Sequence, residues 1–227
     1  MIDKSPAAIR RMFAQVAPRY DVANRVMSMR IDTRWRRIVA SSVASCPGLV
    51  LDLAAGTGDL TVDLVRYGHH RVISADFTFE MLERGRAKLA NLPVTQVGAD
   101  ALQLPFPSSR FDAVTIAFGV RNFADPAAGL REVHRVLKPG GVCAVLEFSR
   151  PAPIINSFYQ LYSRHLLPRL GGFITGARAP YEYLPASVRD FPHGNAFLDL
   201  MSASGYQQVS ARRLSGGIVT YYRGVAP

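Results

Sequence analysis

Two cysteines, Cys46 and Cys143, and a single tryptophan are all that 227 residues contain of these types. Two widely separated thiols make neither a disulfide framework nor a zinc-ligand spacing, so both read as ordinary core thiols. The five histidines, His69, His70, His134, His165 and His193, fall into no ligand spacing, and no metal is expected. Long hydrophobic runs are missing as well, since none approaches the ~20 residues that a membrane span needs. The opening Met1-Ile2-Asp3-Lys4-Ser5-Pro6 lacks the apolar stretch of a secretory signal, which points to the cytoplasm. Acidic residues are few: 17 Asp and Glu face 27 Lys and Arg, leaving a net charge of +10. The imbalance is concentrated at the start. Residues 1–40 hold nine basic side chains against three acids. Such a segment fits an anionic partner, acidic lipid headgroups or nucleic acid. A solvated face in an Arg-rich composition is the alternative.

What is present is a packed globule, with 48% hydrophobic and 19% charged residues and a length suited to one core with embellishments. Ser5 and Pro6 form a helix start, and Ile9, Met12, Phe13 and Val16 recur at helical spacing behind them. A second helical segment follows Tyr20-Asp21. From Gly48 the pattern changes to short apolar runs, Leu49–Leu53, Val72–Ala75, Val94–Val97, Ala113–Ala117 and Val142–Phe148. Helical stretches begin between them near Asp59, Phe79 and Asp125. Continuous apolar strands alternating with helices predict an α/β fold, a Rossmann-like, doubly wound and mostly parallel sheet. After Ser149 the alternation stops at Pro151 and Pro153. An aromatic amphipathic stretch, Phe158–Leu167, follows, and Gly171, Gly172, Gly176 and Pro180 read as loop. Ala196–Gly205 reads as a helix, and Val209–Leu214 and Gly217–Arg223 as two closing strands. One domain is expected, divided into a helical lead-in (1–47), a core (48–149), a lid or substrate region (150–195) and the terminal helix and strands (196–227).

The strongest local signal is Leu51-Asp52-Leu53-Ala54-Ala55-Gly56-Thr57-Gly58-Asp59, an apolar strand running into a glycine turn and a helix. Such a turn lets the backbone approach a ligand closely. Thr61 stands where a dinucleotide fingerprint needs its third glycine, which counts against that cofactor. A merely structural turn remains open. Asp76 ends the next apolar run, roughly twenty residues on, where a carboxylate accepts both ribose hydroxyls of an adenosine-containing cofactor. Asp100-Ala101 ends the third run, placed to bracket an adenine edge, with a plain helix cap as the other reading of Asp100.

At these residues the chain resembles class I methyltransferases, and closely the C-methyltransferases of menaquinone and ubiquinone biosynthesis (the UbiE/MenG type). The likeness runs from about Phe13 to Gly224. It is carried by Tyr20-Asp21-x-x-Asn24-x-x-Met27-Ser28 through Trp35, by Phe118-Gly119-Val120-Arg121-Asn122, and by Arg135-Val136-Leu137-Lys138-Pro139-Gly140-Gly141 with Leu146-Glu147-Phe148-Ser149. Tyr183-Leu184-x-x-Ser187-Val188-Arg189-x-Phe191-Pro192 and Leu214-Ser215-Gly216-Gly217-Ile218-Val219 complete it. Lys-Pro-Gly-Gly alone is common among methyltransferases; the five blocks in order are specific. Ala23 departs from a favoured Met, Asp32 from His, Ala55 from Gly and Ala117 from Ser.

The resemblance implies the class I methyltransferase fold, with N-terminal helices and a helical lid insertion, and S-adenosylmethionine as cofactor, held by Gly56, Thr57, Gly58, Asp76, Asp100, Ala101 and Ala117. It implies C-methylation of a polyprenylated quinol, demethylmenaquinol to menaquinol, with the 2-methoxy-6-polyprenyl-1,4-benzoquinol of ubiquinone biosynthesis as the alternative ring. Arg121, Asn122 and Tyr20 are the candidate catalytic residues. Arg121 would stabilise the developing phenolate, or else pair with a core carboxylate such as Asp52 or Glu147; Tyr20 would touch the hydroxyl or only pack. The implied partners are the lipid-soluble quinol and an anionic membrane surface, with peripheral attachment at the inner face of the cell membrane through the basic N-terminus and Phe158–Leu167. A homodimer is compatible with this, and nucleic acid is not expected. Two other functions compete: an RNA methyltransferase, for which no RNA-binding module is visible, and a non-catalytic cofactor-binding scaffold of a quinone-synthesis complex.

Overall fold

The computed structural model describes residues 5–151, 161, 162 and 166–227. Three helices lead in: α1 (Pro6–Val16), α2 (Tyr20–Met27) and α3 (Ile31–Ser42). The start of α1 is as expected, because Ala8 N–H donates to Ser5 Oγ at 3.3 Å and Pro6 takes the first helical position. Next come β1 (Val50–Leu53), α4 (Asp59–Arg66), β2 (Val72–Asp76), α5 (Phe79–Leu89), β3 (Val94–Gly98), β4 (Phe111–Ala117), α6 (Pro126–Val136) and β5 (Leu137–Phe148). The last part holds α7 (Leu167–Thr175), α8 (Ala179–Asp190), α9 (Asn195–Ala203), β6 (Gln207–Leu214) and β7 (Val219–Val225).

The seven strands form one sheet in the order β3-β2-β1-β4-β5-β7-β6. The first five pair in parallel, while β7 runs antiparallel to both β5 and β6. Strand order reverses beside β1, where the chain goes to β2 on one side and β4 lies on the other. At such a point the loops diverge from the carboxyl ends of neighbouring strands and open a crevice.

Side chains alternate across the pleat, so each strand feeds two cores. Leu51, Leu53, Val114 and Ile116 pack with Leu130, Val133 and Phe197 on one face. Val50, Ala113 and Ala144 pack with Trp35, Val39, Leu60 and Leu64 on the other. All four residues of β1 are buried. Asp52 shares the parity of Val50 and therefore points toward α3 and α4, which matters for the site.

The expected loop at Gly171–Pro180 is corrected: the chain there forms α7 and the start of α8. The glycines serve packing and termination. A Cβ on Gly171 would meet the Tyr181 ring at 2.3 Å, so its absence lets α8 lie close on α7. Gly176 closes α7 with φ +77°. Pro180 sits in the first turn of α8, where a missing N–H costs nothing. β5 also starts earlier than expected, at Leu137 rather than Val142. Pro153 and most of the stretch Phe158–Leu167 lie outside the described residues.

Candidate active site

After Leu53 the chain leaves β1 with three residues at positive φ before α4: Ala54 (+54°), Gly56 (+56°) and Gly58 (+82°). At Gly58 a Cβ would also strike Leu89 at 2.8 Å. The turn is pinned to β2 by two bonds, Ala55 N–H to Ala75 O at 3.0 Å and Gly56 N–H to Asp76 Oδ2 at 2.8 Å. Thr78 N–H donates to Asp76 Oδ1 at 2.7 Å. The carboxylate is thereby fixed in direction, yet each oxygen keeps a lone pair for another donor. Burial pushes the Asp76 carboxyl up, against the opposing pull of those two N–H groups. A pair of ligand hydroxyls would favour its charged form further.

Asp76 lines a cavity at the strand ends, together with Gly56, Asp100, Ala101 and Ala117. It encloses about 830 Å³ of space free of protein atoms, solvent at its mouth included. Asp100 is oriented by Leu102 N–H, which donates to its Oδ1 at 2.9 Å. A second cavity of about 440 Å³ adjoins it and shares Tyr20, Ala54, Gly56, Ala117 and Phe118. Arg36, Asp52, Thr57 and Asp59 are among the other residues of its wall. Together the two cavities straddle the glycine turn. One end offers hydroxyl acceptors, the other charges of both signs, which suits an adenosine carrying an amino-acid tail.

The expected site residues are thus mostly brought together. Gly56, Asp76, Asp100, Ala101, Ala117, Tyr20 and Asn122 line the larger cavity, and Thr57 lines the smaller. Gly58 stands behind the turn as the cap residue of α4. Tyr20 is pushed up by burial, against a side-chain hydrogen bond with Asn24, so its phenol is held in the protonated form. Asn122 Oδ1 accepts from Tyr183 Oη at 3.1 Å, which joins two of the sequence blocks. Two others meet where Trp35 Nε1–H donates to Ser215 Oγ at 2.9 Å.

Arg121 lies elsewhere: it is on a 3₁₀ turn (Val120–Asn122) just past β4, 6% exposed and outside both cavity walls. Of the two carboxylates weighed for it, Glu147 is the partner, with Nη1 to Oε1 at 2.9 Å. Arg121 Nη1 also donates to Phe118 O, and the guanidinium stands 5.4 Å from the Phe148 ring centre. The positive charge still reaches the cavity, where it pulls the Tyr20 phenol down against burial.

Several charged residues of the site went unnoticed in the sequence. Thr57 Oγ1–H donates to Asp21 Oδ1 at 2.5 Å, and Lys88 Nζ bridges Asp21 (2.8 Å) and Asp59 (2.5 Å). These contacts fasten α2 and α5 to the glycine turn. Burial alone would raise Asp59, but Arg36, Lys88 and Arg25 hold its carboxyl below the usual range. Asp52, 1% exposed, accepts from Thr61 Oγ1 at 2.6 Å and Thr115 Oγ1 at 3.0 Å.

A model described as the ubiE/COQ5 methyltransferase family matches residues 1–226. A demethylmenaquinone methyltransferase of Deinococcus radiodurans is 42% identical over 222 residues, covering 96% of this chain and 92% of that one. One from Thermus thermophilus is 45% identical over 223 residues, covering 95% and 100%. A ubiquinone/menaquinone biosynthesis C-methyltransferase UbiE of Geobacter sp. strain M21 is 41% identical, covering 95% of each. Among solved structures, an S-adenosylmethionine-dependent methyltransferase from Thermotoga maritima superposes with a TM-score of 0.65 at 18% identity, over 96% of this chain and 100% of that one. That likeness bears on the fold alone. The matches to sequence span the glycine turn, Asp76, the Arg121 block and the closing strands alike, and the chain belongs to the UbiE/COQ5 methyltransferase family.

Proposed function

We propose that the chain transfers the methyl group of S-adenosylmethionine to a ring carbon of a polyprenylated quinol, converting demethylmenaquinol to menaquinol. The observation that carries this is the mixed lining of the larger cavity. Asp76 and Asp100 line it together with apolar side chains, Pro6, Ile9 and Phe13 of α1 and Phe123 among them. An apolar wall beside a cofactor cradle takes a greasy aromatic substrate, with Tyr20 and Asn122 as the polar groups that orient it. The names of the Deinococcus and Thermus relatives support the naphthoquinol ring.

S-adenosylmethionine supplies an activated methyl group when bound. The chain's own task lies with the quinol, whose hydroxyl gives its proton to solvent water to become a phenolate that enriches the neighbouring carbon. After methylation that carbon gives up its hydrogen as a proton, again to water, which restores the aromatic ring. Tyr20 donates to that oxygen, and Asn122, braced by Tyr183, fixes the ring in line with the methyl. Arg121 acts from behind the wall, its charge favouring the anion as it forms. Labelled methyl from the cofactor is expected in lipid-soluble product when reduced demethylmenaquinol is supplied, at higher kcat/KM than with the methoxylated benzoquinol. Preference for the benzoquinol overturns the ring assignment and leaves methyl transfer standing; label in RNA, or in no product, overturns the whole reading.

The substrate lives in the bilayer, and the enzyme works from the cytoplasm at the inner face of the cell membrane. No described helix is long and apolar enough to cross it. Val22, Val26 and Met29, on and just after α2, and Phe173 on α7 are between 49% and 89% exposed, and the two helices pack together. Arg19, Arg25 and Arg30 stand on or beside the same segment. Apolar side chains among arginines make a surface for anionic headgroups. Vesicle binding is expected to rise with anionic lipid and to fall with salt, as screening shortens the reach of the charges. Equal partition onto neutral vesicles at every salt concentration would contradict it.

A further inference from the structure

We propose that Arg150, Arg189 and Arg213 form a second docking point for an anionic membrane, one that takes lipid phosphate groups at the rim of the sheet. This rests on the membrane reading just given and goes beyond it in naming residues outside α2 and α7.

The charge balance singles this region out. Between Glu147 and Glu182 the sequence holds no acidic residue, and after Asp199 it holds none either. The fold brings three arginines of this part of the chain together. Arg150 follows β5, Arg189 lies in the last turn of α8, and Arg213 is near the end of β6. Arg150 Nη2 donates to Arg189 O at 2.9 Å, and Arg213 Nη2 donates to Arg150 O at 3.2 Å. Two of the guanidinium groups are thus held by the backbone carbonyl of another arginine, which gathers positive charge without cancelling it. The first of these bonds also gives α8 a cation at its carboxyl end, where the helix dipole favours one. A Cβ on Gly217 would strike the Arg213 guanidinium, so the glycine leaves the space in which that arginine lies. Ser149 Oγ–H donates to Gly217 O at 2.7 Å and fastens the same turn to the end of β5.

All three arginines are exposed. Asp190, 3.1 Å from Arg189 Nε, is the only carboxylate paired with any of them among the described residues. Guanidinium forks match phosphate oxygens, and a layer of phosphodiesters answers all three charges together. The position of the cluster selects a bilayer as the source. It lies at the carboxyl end of β5, the end of the sheet that carries both cavities and the start of α2. Trp35, bonded to Ser215 two residues past Arg213, ties α3 to this rim, and the exposed Met29 and Arg30 lead into α3. A flat anionic surface meets the cluster and the apolar side chains of α2 at once. The larger cavity then faces the lipid that holds the quinol.

Binding to vesicles of phosphatidylglycerol and phosphatidylcholine tests the cluster. Arg150→Gln and Arg213→Gln are each expected to weaken it about fivefold, and the double variant about 25-fold, the contribution of arginines near an anionic surface. Arg212→Gln removes the same charge from the opposite face of β6 and is expected to weaken binding about twofold or less. The double lysine variant keeps the charge and is expected to keep most of the binding. None of these side chains lines either cavity. Affinity for S-adenosylhomocysteine and turnover of a short-chain, water-soluble quinol are therefore expected to be unchanged, while KM rises for quinol carried in the vesicles. A double glutamine variant that binds vesicles as the wild type does overturns the proposal and leaves the cluster to an acidic polypeptide. Equal losses in Arg212→Gln and Arg213→Gln overturn it too, since net charge alone then accounts for the effect. So does a double lysine variant that falls as far as the double glutamine one, which would make the arginines braces of the rim. A wild-type protein that ignores anionic lipid fails the membrane reading itself, a distinct result.

Discussion

Glu147→Ala is expected to remove about 3–5 kcal/mol of folding stability, the cost of leaving a buried cation without its partner. Glu147 is fully buried on β5 and answers several donors at once. Oε1 accepts from Arg121 Nη1 at 2.9 Å and from Phe148 N–H at 2.9 Å, and Oε2 accepts from Arg121 N–H at 3.2 Å. Removing it strands the guanidinium against the Phe148 ring, with Phe118 O as its remaining hydrogen-bond acceptor. The double variant Arg121→Met, Glu147→Leu is expected to recover most of the loss, since apolar groups of similar volume replace a buried pair without strong cost. Urea unfolding of the three proteins measures both effects. A loss below about 1 kcal/mol in Glu147→Ala would mean that Arg121 is solvated through the cavity, as an exposed pair would be. The double variant also isolates the role of Arg121 in the reaction. It is expected to bind S-adenosylhomocysteine normally while kcat falls, because its charge is missed only as the phenolate forms.

Where the chemistry is local, it was legible in the chain. The glycine turn and Asp76 announce themselves because positive φ and a carboxylate at a strand end are properties of a few adjacent residues. The strand positions followed for the same reason. Glycine was misread wherever its purpose was contact with a distant element: Gly171 is small for the sake of Tyr181, ten positions on, which no local pattern reveals. The partner of Arg121 was undecided between Asp52 and Glu147. The parity of β1 settles part of that, since Asp52 shares the face of Val50 and turns toward α4, where Thr61 takes it up. Arg36 looked like one more member of a basic run with Arg34 and Arg37. Helical spacing offered a signal, because Asp32, Trp35, Arg36 and Val39 fall on one face of α3 and all four are buried. Charge alone pointed outward, to a membrane or nucleic acid; periodicity pointed this arginine inward.

The same inward face makes Asp52 a source of pH-dependent stability. Its carboxyl, ordinarily near 3.8, is pushed up to about 7 by burial, against the pull of the Thr61 and Thr115 hydroxyls. Asp76 nearby adds to the rise, and Arg36 opposes it. The folded protein therefore holds a proton on Asp52 through a range in which the unfolded chain has released it. Stability from this group is complete below about pH 4 and is lost as the pH climbs through 7, by roughly 4 kcal/mol in all. Asp52→Asn keeps the shape, offers a carbonyl to one threonine hydroxyl and an N–H to the oxygen of the other, and cannot ionise. Its stability relative to the wild type is expected to rise between about pH 4 and pH 8, in urea unfolding of the ligand-free proteins. Other acids, Asp59 and Asp76 among them, titrate in both proteins, so the difference between the two curves belongs to Asp52. Parallel curves over this range would show that Asp52 takes up no proton. The effect carries into binding. A ligand ammonium entering the smaller cavity favours the charged carboxylate, so S-adenosylhomocysteine is expected to release a fraction of a proton near pH 7. Calorimetry in buffers of different ionisation enthalpy reads that release directly, and in Asp52→Asn it is expected to disappear.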